Sequence, residues 1–172
     1  YINLSVFLLE PGMHFVPFTQ EWAQQYADML KAASELDLGM TGTEVMSVED
    51  VISSFGGEYR WDRLIVQDSC LVGDVNLFLP HSQEESDRKP EVNVFVSQTA
   101  RNKGFARQAI KLAVEYCVSQ GYQSIFAIID DQNTPSISLF TSCGFGVVEH
   151  IPAFEQSVYS LLLSSHSQTH SK

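Results

Sequence analysis

Basic residues are scarce in this chain of 172 residues: Lys and Arg total 10, Asp and Glu 21, and the formal net charge is −11. A surface of that sign repels phosphodiester backbones and anionic lipid headgroups, so neither nucleic acid nor a membrane is an expected partner. It draws in cations such as amines, although acidic residues also serve simply to keep a domain in solution. Cysteine is sparse too. Cys70, Cys117 and Cys143 show no metal-ligand spacing, so no metal site is expected. Cys70 and Cys117 fall in apolar segments, as packed, reduced thiols of a cytoplasmic protein would. No apolar run approaches the roughly 20 residues of a membrane span. No segment repeats, and the G-x-G-x-x-G fingerprint of a dinucleotide fold is missing. The chain opens on Tyr1 without an initiator Met, as a processed or truncated product would, and shows no signal-peptide n-region. Its length suits one domain with a sizeable core and is short for two.

What is present centres on Glu91 to Tyr116. Val92, Val94 and Val96 alternate with Glu91, Asn93, Phe95 and Ser97, which is strand period. From Phe105 the apolar residues change to helical spacing, with Phe105, Ala109, Leu112, Ala113 and Tyr116 on one stripe. R-N-K-G-F-A lies between, with Gly104 at the turn. A loop of this kind at a helix start aims several backbone N–H groups at one spot, and phosphates bind there. Arg101, Lys103 and Arg107 add positive charge in an acidic chain. The plainer alternative is a strand-to-helix turn that uses glycine for its positive φ.

The remaining chain supplies elements on either side. His14 to Phe18 reads as a strand. A helix follows, capped at Thr19, with Trp22, Tyr26, Met29 and Leu30 on one face and a break at Gly39 to Thr43. Ser47 opens a short helix with an S-x-x-D capping box, and Gly56-Gly57 closes it. Leu64–Val66 and Cys70–Leu79 read as a hairpin, with Asp74, Asn76 and Phe78 facing away from Val75, Leu77 and Leu79. Pro80 to Pro90 is a polar surface loop containing His81. Gly121 ends the long helix, and Ser124–Ile129 is a buried parallel strand. Asn133–Ser142 is a helix, and Phe145–Glu149 and Gln156–Leu163 are two final strands. The domain is expected over residues 13–163, with residues 1–12 unassigned and 164–172 a disordered tail.

V-x-V-x(4)-R-x-x-G-x-A resembles the coenzyme A pyrophosphate loop of the GNAT acetyltransferase superfamily, with Arg101, Gly104 and Ala106 at the motif positions. D-Q-N-T-P-S-I-S-L-F-T-S-C-G-F resembles the second signature of that superfamily through Asn133, Ser136, Leu139, Gly144 and Phe145. Within it, C-L-V-G-D-V-N-L-F-L and V-P-F-T-Q-E-W-A-Q-Q-Y are similar to segments of the N-acetyltransferase 9-like group, which has been linked to tubulin. The resemblance implies an α+β fold in α/β/α layers, a central mixed sheet of six to seven strands with flanking helices. It implies two parallel strands that splay apart to admit the cofactor arm, with a bulge in the first. It also implies acetyl-CoA as co-substrate and a protein or peptide amine as acceptor, tubulin among the candidates. The cofactor-binding residues would be Val94, Phe95, Val96, Arg101, Asn102, Lys103, Gly104, Phe105, Ala106, Arg107, Asn133, Ser136 and Phe140. Asn133 and Pro135 also suit an ordinary helix start.

Acetyl transfer from a thioester requires that the amine lose a proton, that the oxyanion find donors and that the thiolate leave. Backbone N–H groups of Val94–Val96 would stabilise the oxyanion by about 2.7–4 kcal/mol each, and proximity would supply about 7–11 kcal/mol more. Many relatives carry Tyr where this chain has Phe140, and some carry Glu where it has Ile128. Replacement candidates are Glu91 as base, then Asn93, Asp74 and Asn76, with Tyr159 or Cys143 as proton donor. Glu91 fits a solvated strand start as well. Two other readings stay open: a non-catalytic acyl-CoA-binding protein of the same fold, and a small-molecule amine acetyltransferase.

Overall fold

A computed structural model describes residues 12–35, 46–81, 84 and 89–163. The expectations for residues 1–11, for the helix break at Gly39–Thr43, for most of Pro80–Pro90 and for the tail from Ser164 lie outside the described residues. The elements run β1 (Met13–Val16), α1 (Ala23–Glu35), α2 (Val48–Ser54), β2 (Arg60–Gln67), β3 (Cys70–Phe78) and β4 (Glu91–Val96). Then come α3 (Phe105–Ser119), β5 (Ser124–Asp130), α4 (Thr134–Ser142), β6 (Gly146–Ile151) and β7 (Gln156–Leu162).

This order is the expected one, with some boundaries moved. β2 begins at Arg60 rather than Leu64. Its first half hides from a pattern search because Asp62 is buried and ion-paired to Arg60 at 2.6 Å, so a charged strand behaves as an interior one. β6 continues to Ile151 rather than ending at Glu149. Thr19 precedes a 3-10 turn, Gln20–Trp22, and its side chain makes no capping bond. Ser47 does cap α2. Its Oγ accepts from the Asp50 N–H at 3.1 Å, and the Asp50 carboxylate accepts from the Ser47 N–H at 3.3 Å. At the end of α3, Gly121 has φ 78°, and the Tyr122 N–H reaches back to the Cys117 carbonyl at 3.1 Å.

The strands form one seven-stranded sheet in the order β1-β2-β3-β4-β5-β7-β6. Every pairing is antiparallel except β4 with β5. β2 and β3 are joined by a two-residue turn, Asp68 and Ser69, both with positive φ, which matches the twist of a tight hairpin. That turn exposes Cys70 at the start of β3, contrary to the packed thiol expected there. Cys117 is fully buried on α3, and burial pushes its thiol up to about 12.

Two cores cover the two faces of the sheet. On one face Phe105, Ala109, Ile110, Ala113 and Cys117 of α3 pack on Val75, Leu77, Val92, Ile125 and Ala127. On the other, Tyr26, Met29 and Leu30 of α1 and Val51 of α2 pack on Leu64, Val66 and Phe95. The polar side of β3 therefore lies under a helix and not in water. Asp74 accepts hydrogen bonds from the Tyr26 hydroxyl at 3.3 Å and the Asn76 amide at 2.6 Å. Burial pushes its carboxyl up to about 7, against the pull of Tyr26 and Arg60.

Candidate active site

The site begins with a mismatch between two strands. β4 holds an unbroken antiparallel register with β3 from Glu91↔Phe78 to Val96↔Gly73, so the bulge expected in β4 does not occur. Against β5 it keeps a single registered pair, Glu91↔Phe126. The Ser97 N–H bonds to Val72 opposite it. By the alternation of an antiparallel ladder, residues 91, 93, 95 and 97 then bond to β3, and residues 92, 94 and 96 turn their backbone groups toward β5. The Phe126 N–H on the Pro90 carbonyl, 3.0 Å, marks the last contact before the strands part, and the same rung takes the Val92 N–H. The N–H groups of Val94 and Val96 thus face an open gap. The Val96 carbonyl is held by Arg101 Nε at 3.1 Å. Phe95, expected to help here, turns its N–H to Asp74 instead and packs its ring toward α1 and α2.

The loop beyond β4 supplies a second set of donors. Gly104 is the N-cap of α3 with φ 82°, a left-handed conformation natural to glycine, and Asn102 also has positive φ. Gly104 makes no side-chain cap, and the first helical bond is Gln108 N–H to the Gly104 carbonyl at 3.1 Å. Among the described residues, the N–H groups of residues 102 to 107 donate to no backbone acceptor. A 15-residue helix points its positive end at the same place.

These donors open onto a cleft of about 1270 Å³. Of the expected cofactor residues, Val94, Phe95, Val96, Arg101, Asn102, Gly104, Phe105, Ala106, Arg107, Asn133 and Ser136 line it, and so does Asn93. Lys103 does not. Arg107 donates to the Ser142 carbonyl at 3.3 Å and ties α3 to α4. A smaller cavity of about 240 Å³ fills the gap between β4 and β5, where Phe140 joins Asn93, Val94, Asn133 and Ser136. Phe140 is buried, edge-on to Phe145, and presents only a hydrocarbon face. Asn133 caps α4 by accepting the Ser136 N–H on Oδ1 at 3.2 Å, so any donation to a ligand comes from Nδ2.

The acid–base candidates do not assemble. Glu91 accepts from the Asn93 amide at 3.4 Å and lines neither cavity. Tyr159 sits opposite Ala127 and packs into the α3-side core, on the other face of the sheet from Glu91 and Asn93. Cys143 packs against that same core, and Asp74 and Asn76 lie beneath α1. His81 is exposed and lies against Tyr59, the rings tilted by 31° with centroids 3.8 Å apart.

One wall of the cleft escaped the sequence reading altogether. The turn from β6 to β7 brings Phe154, Glu155 and Gln156 to the cleft, opposite Asp130. Four tethers hold it there. The Asp131 N–H donates to the Glu155 carbonyl at 2.9 Å, and Gln156 Nε2 to Asp130 Oδ1 at 2.7 Å. Ser157 Oγ donates to Asp131 Oδ1 at 2.6 Å, and His150 Nδ1 lies 3.2 Å from Asp131 Oδ2. No spacing rule links residues 130–131 to 150–157. The only signal was an Asp pair closing an apolar strand.

Comparison with known proteins agrees with this geometry. The family model described as Acetyltransferase (GNAT) family matches residues 40–145. An N-acetyltransferase 9-like protein of Dictyostelium discoideum is 31% identical over 90% of this chain and 84% of its own length. An alpha/beta-tubulin-N-acetyltransferase 9 of Mus musculus is 26% identical over 95% of this chain and 73% of its own. Among solved structures, a putative acetyltransferase of Salmonella typhimurium with its cofactor acetyl-CoA superposes with a TM-score of 0.74 at 16% identity, covering 91% of this chain and 96% of that one. With its mixed seven-stranded sheet, its parted parallel strands and a family match over more than half its length, the chain belongs to the Acetyltransferase (GNAT) family.

Proposed function

We propose that this acetyltransferase takes its acetyl group from acetyl-CoA and delivers it to an amine of a protein or peptide, with residues 13–163 as the catalytic domain. The observation that carries the reading is the run of N–H groups at residues 102–107 that, among the described residues, donate to no backbone acceptor and open on a cleft beside the gap at Val94. A diphosphate meets those donors, the positive end of α3 and the side chains of Arg101 and Arg107. The donors fit an anion and no cation. The cofactor arm then runs between β4 and β5, where Asn133 Nδ2 is positioned to donate to an amide of the arm. The Val94 N–H is aimed at the thioester oxygen, a preorganised donor of the kind that stabilises developing negative charge. Phe140 supplies a dry wall and no proton.

A protein or peptide acceptor is supported by relatives named for acetylation of tubulin, and tubulin is the first substrate to try. The test mixes the protein with acetyl-CoA and either tubulin or peptides bearing free N-termini, and measures coenzyme A release. Release that depends on the peptide amine is expected. Release only with small polyamines would move the acceptor to the small-molecule class, and release with no amine would sink the reading.

A further inference from the structure

We propose that Asp130 is the residue that takes the proton from the acceptor amine, an inference that rests on the acetyl-transfer reading above. Asp130 closes β5. Ile125, Ala127 and Ile129 of that strand point into the α3-side core, so Phe126, Ile128 and Asp130 face the other way. Asn93 shares that face, because Glu91 and Phe126 are a registered pair and residues two apart on a strand point alike. Asp130 lines both the large cleft and the gap between the parted strands. Among the described residues lining the gap, it is the one carboxylate. The Val94 backbone and the Asn93 side chain border the same gap.

The neighbouring carboxylates are excluded by where they lie. Asp131 lines neither cavity and is bound by Ser157 and His150. Glu91 lies outside both cavities, and Asp74 lies under α1 against Tyr26. Gln156, directly across in the β5–β7 register, donates to Asp130 Oδ1 and so fixes the carboxylate's orientation toward the cleft. Gln156 is a positioning residue.

The step balances without a further reactant. The Asp130 carboxylate takes one proton from the acceptor ammonium, directly or through one water. The lone pair so freed forms a bond from nitrogen to the acetyl carbonyl carbon, while the Val94 N–H meets the resulting oxyanion. The nitrogen's second proton is lost to solvent as the intermediate collapses, and Asp130 returns its own proton to solvent between turnovers. The carbon–sulfur bond then breaks and its electron pair leaves with sulfur as the coenzyme A thiolate, which solvent protonates. Ile128, two residues before Asp130 on the same face, contributes no base, and the sheet places the carboxylate one step nearer the end of the strand.

The test compares Asp130→Asn, Asp130→Glu and Glu91→Gln with the unaltered protein, using acetyl-CoA and peptides carrying a free α-amine. Acetyl-CoA affinity by calorimetry should stay within about twofold in all of them. Loss of a general base lowers kcat by about 100- to 10,000-fold, and that loss is expected for Asp130→Asn, with part of it recovered in Asp130→Glu. The residual rate of Asp130→Asn should climb about tenfold per pH unit from pH 7 to 9, because the variant must wait for amine already deprotonated in solution. Glu91→Gln should stay within about threefold of the parent. Normal turnover with a normal pH profile in Asp130→Asn would overturn the assignment, as would a larger loss in Glu91→Gln. Failure of Asp130→Asn to bind acetyl-CoA would make Asp130 an anchor of the cleft wall and overturn it too. A parent protein that binds acetyl-CoA but acetylates no amine would overturn the acetyl-transfer reading, and this inference with it.

Discussion

The two walls of the cleft are made of different materials. The wall at β4 and α3 is main chain: N–H groups of Val94 and Val96 turned toward the gap, and N–H groups of residues 102 to 107 that among the described residues donate to no backbone acceptor, with a left-handed glycine setting their direction. The wall at the end of β5 and the β6–β7 turn is side chain: Asp130 held by Gln156, Asp131 held by Ser157 and His150, and Phe154 standing 71% exposed. A main-chain wall recognises something invariant, since nearly any residue can supply its donors. A side-chain wall can be retuned one residue at a time. On the reading proposed above, the first wall takes the common acetyl donor and the second the particular acceptor.

That division can be broken by substitution. Gly104→Glu forces a left-handed conformation on a side-chain-bearing residue, at about 1–2 kcal/mol, and sets a negative charge at a helix start. Affinity for acetyl-CoA should fall by about 30- to 100-fold in a calorimetric titration. Because a Cβ at Gly104 meets nothing within 4 Å, the fold itself should survive. Asn133→Ala removes both a helix cap and the free Nδ2 donor, so acetyl-CoA affinity should drop about tenfold while stability falls by about 1 kcal/mol in urea unfolding. Phe154→Ala should do the opposite of Gly104→Glu. The KM for a peptide acceptor should rise about three- to fivefold, with the KM for acetyl-CoA unchanged. Equal changes in both constants would dissolve the contrast between the walls.

The smallest effect concerns a group behind the site. Asp74 has a folded-state value of about 7 against an ordinary 3.8, so the folded state holds its proton more tightly than the unfolded chain. Its contribution to stability is therefore fully present below about pH 4 and is lost as pH rises through about 7. Thermal unfolding of Asp74→Asn and the parent should diverge across that window, the parent losing a few degrees relative to the variant, and run parallel on either side.

The same contrast governs what the sequence made legible. The strand at Val92–Val96, the glycine turn and the helix from Phe105 are local patterns, and local patterns survive in one dimension. Eleven of the thirteen expected cofactor residues line the large cleft, and Phe140 lines the gap beside it. The second wall depends on partners about 26 residues apart in the chain, Asp130 with Gln156 and Asp131 with Ser157, which only the β5–β7 pairing brings together. Glu91 and Tyr159 suit the chemistry by residue type, and their strands are legible along the chain, but which way each side chain faces depends on the pairing of the sheet. Strand parity then placed them on opposite sides of the sheet. Arg60 to Arg63 hid a strand because its charges are satisfied by one another and by Phe55, Phe78 and Trp61 rings, a tertiary arrangement that polarity alone conceals.

The single rung at Glu91↔Phe126 has a mechanical meaning. It leaves four strands on one side and three on the other as two plates sharing a seam, braced from behind by α3. A guest lodged along that seam, as the proposed reading has it, would stand in for the missing cross-ties as mortar between the plates.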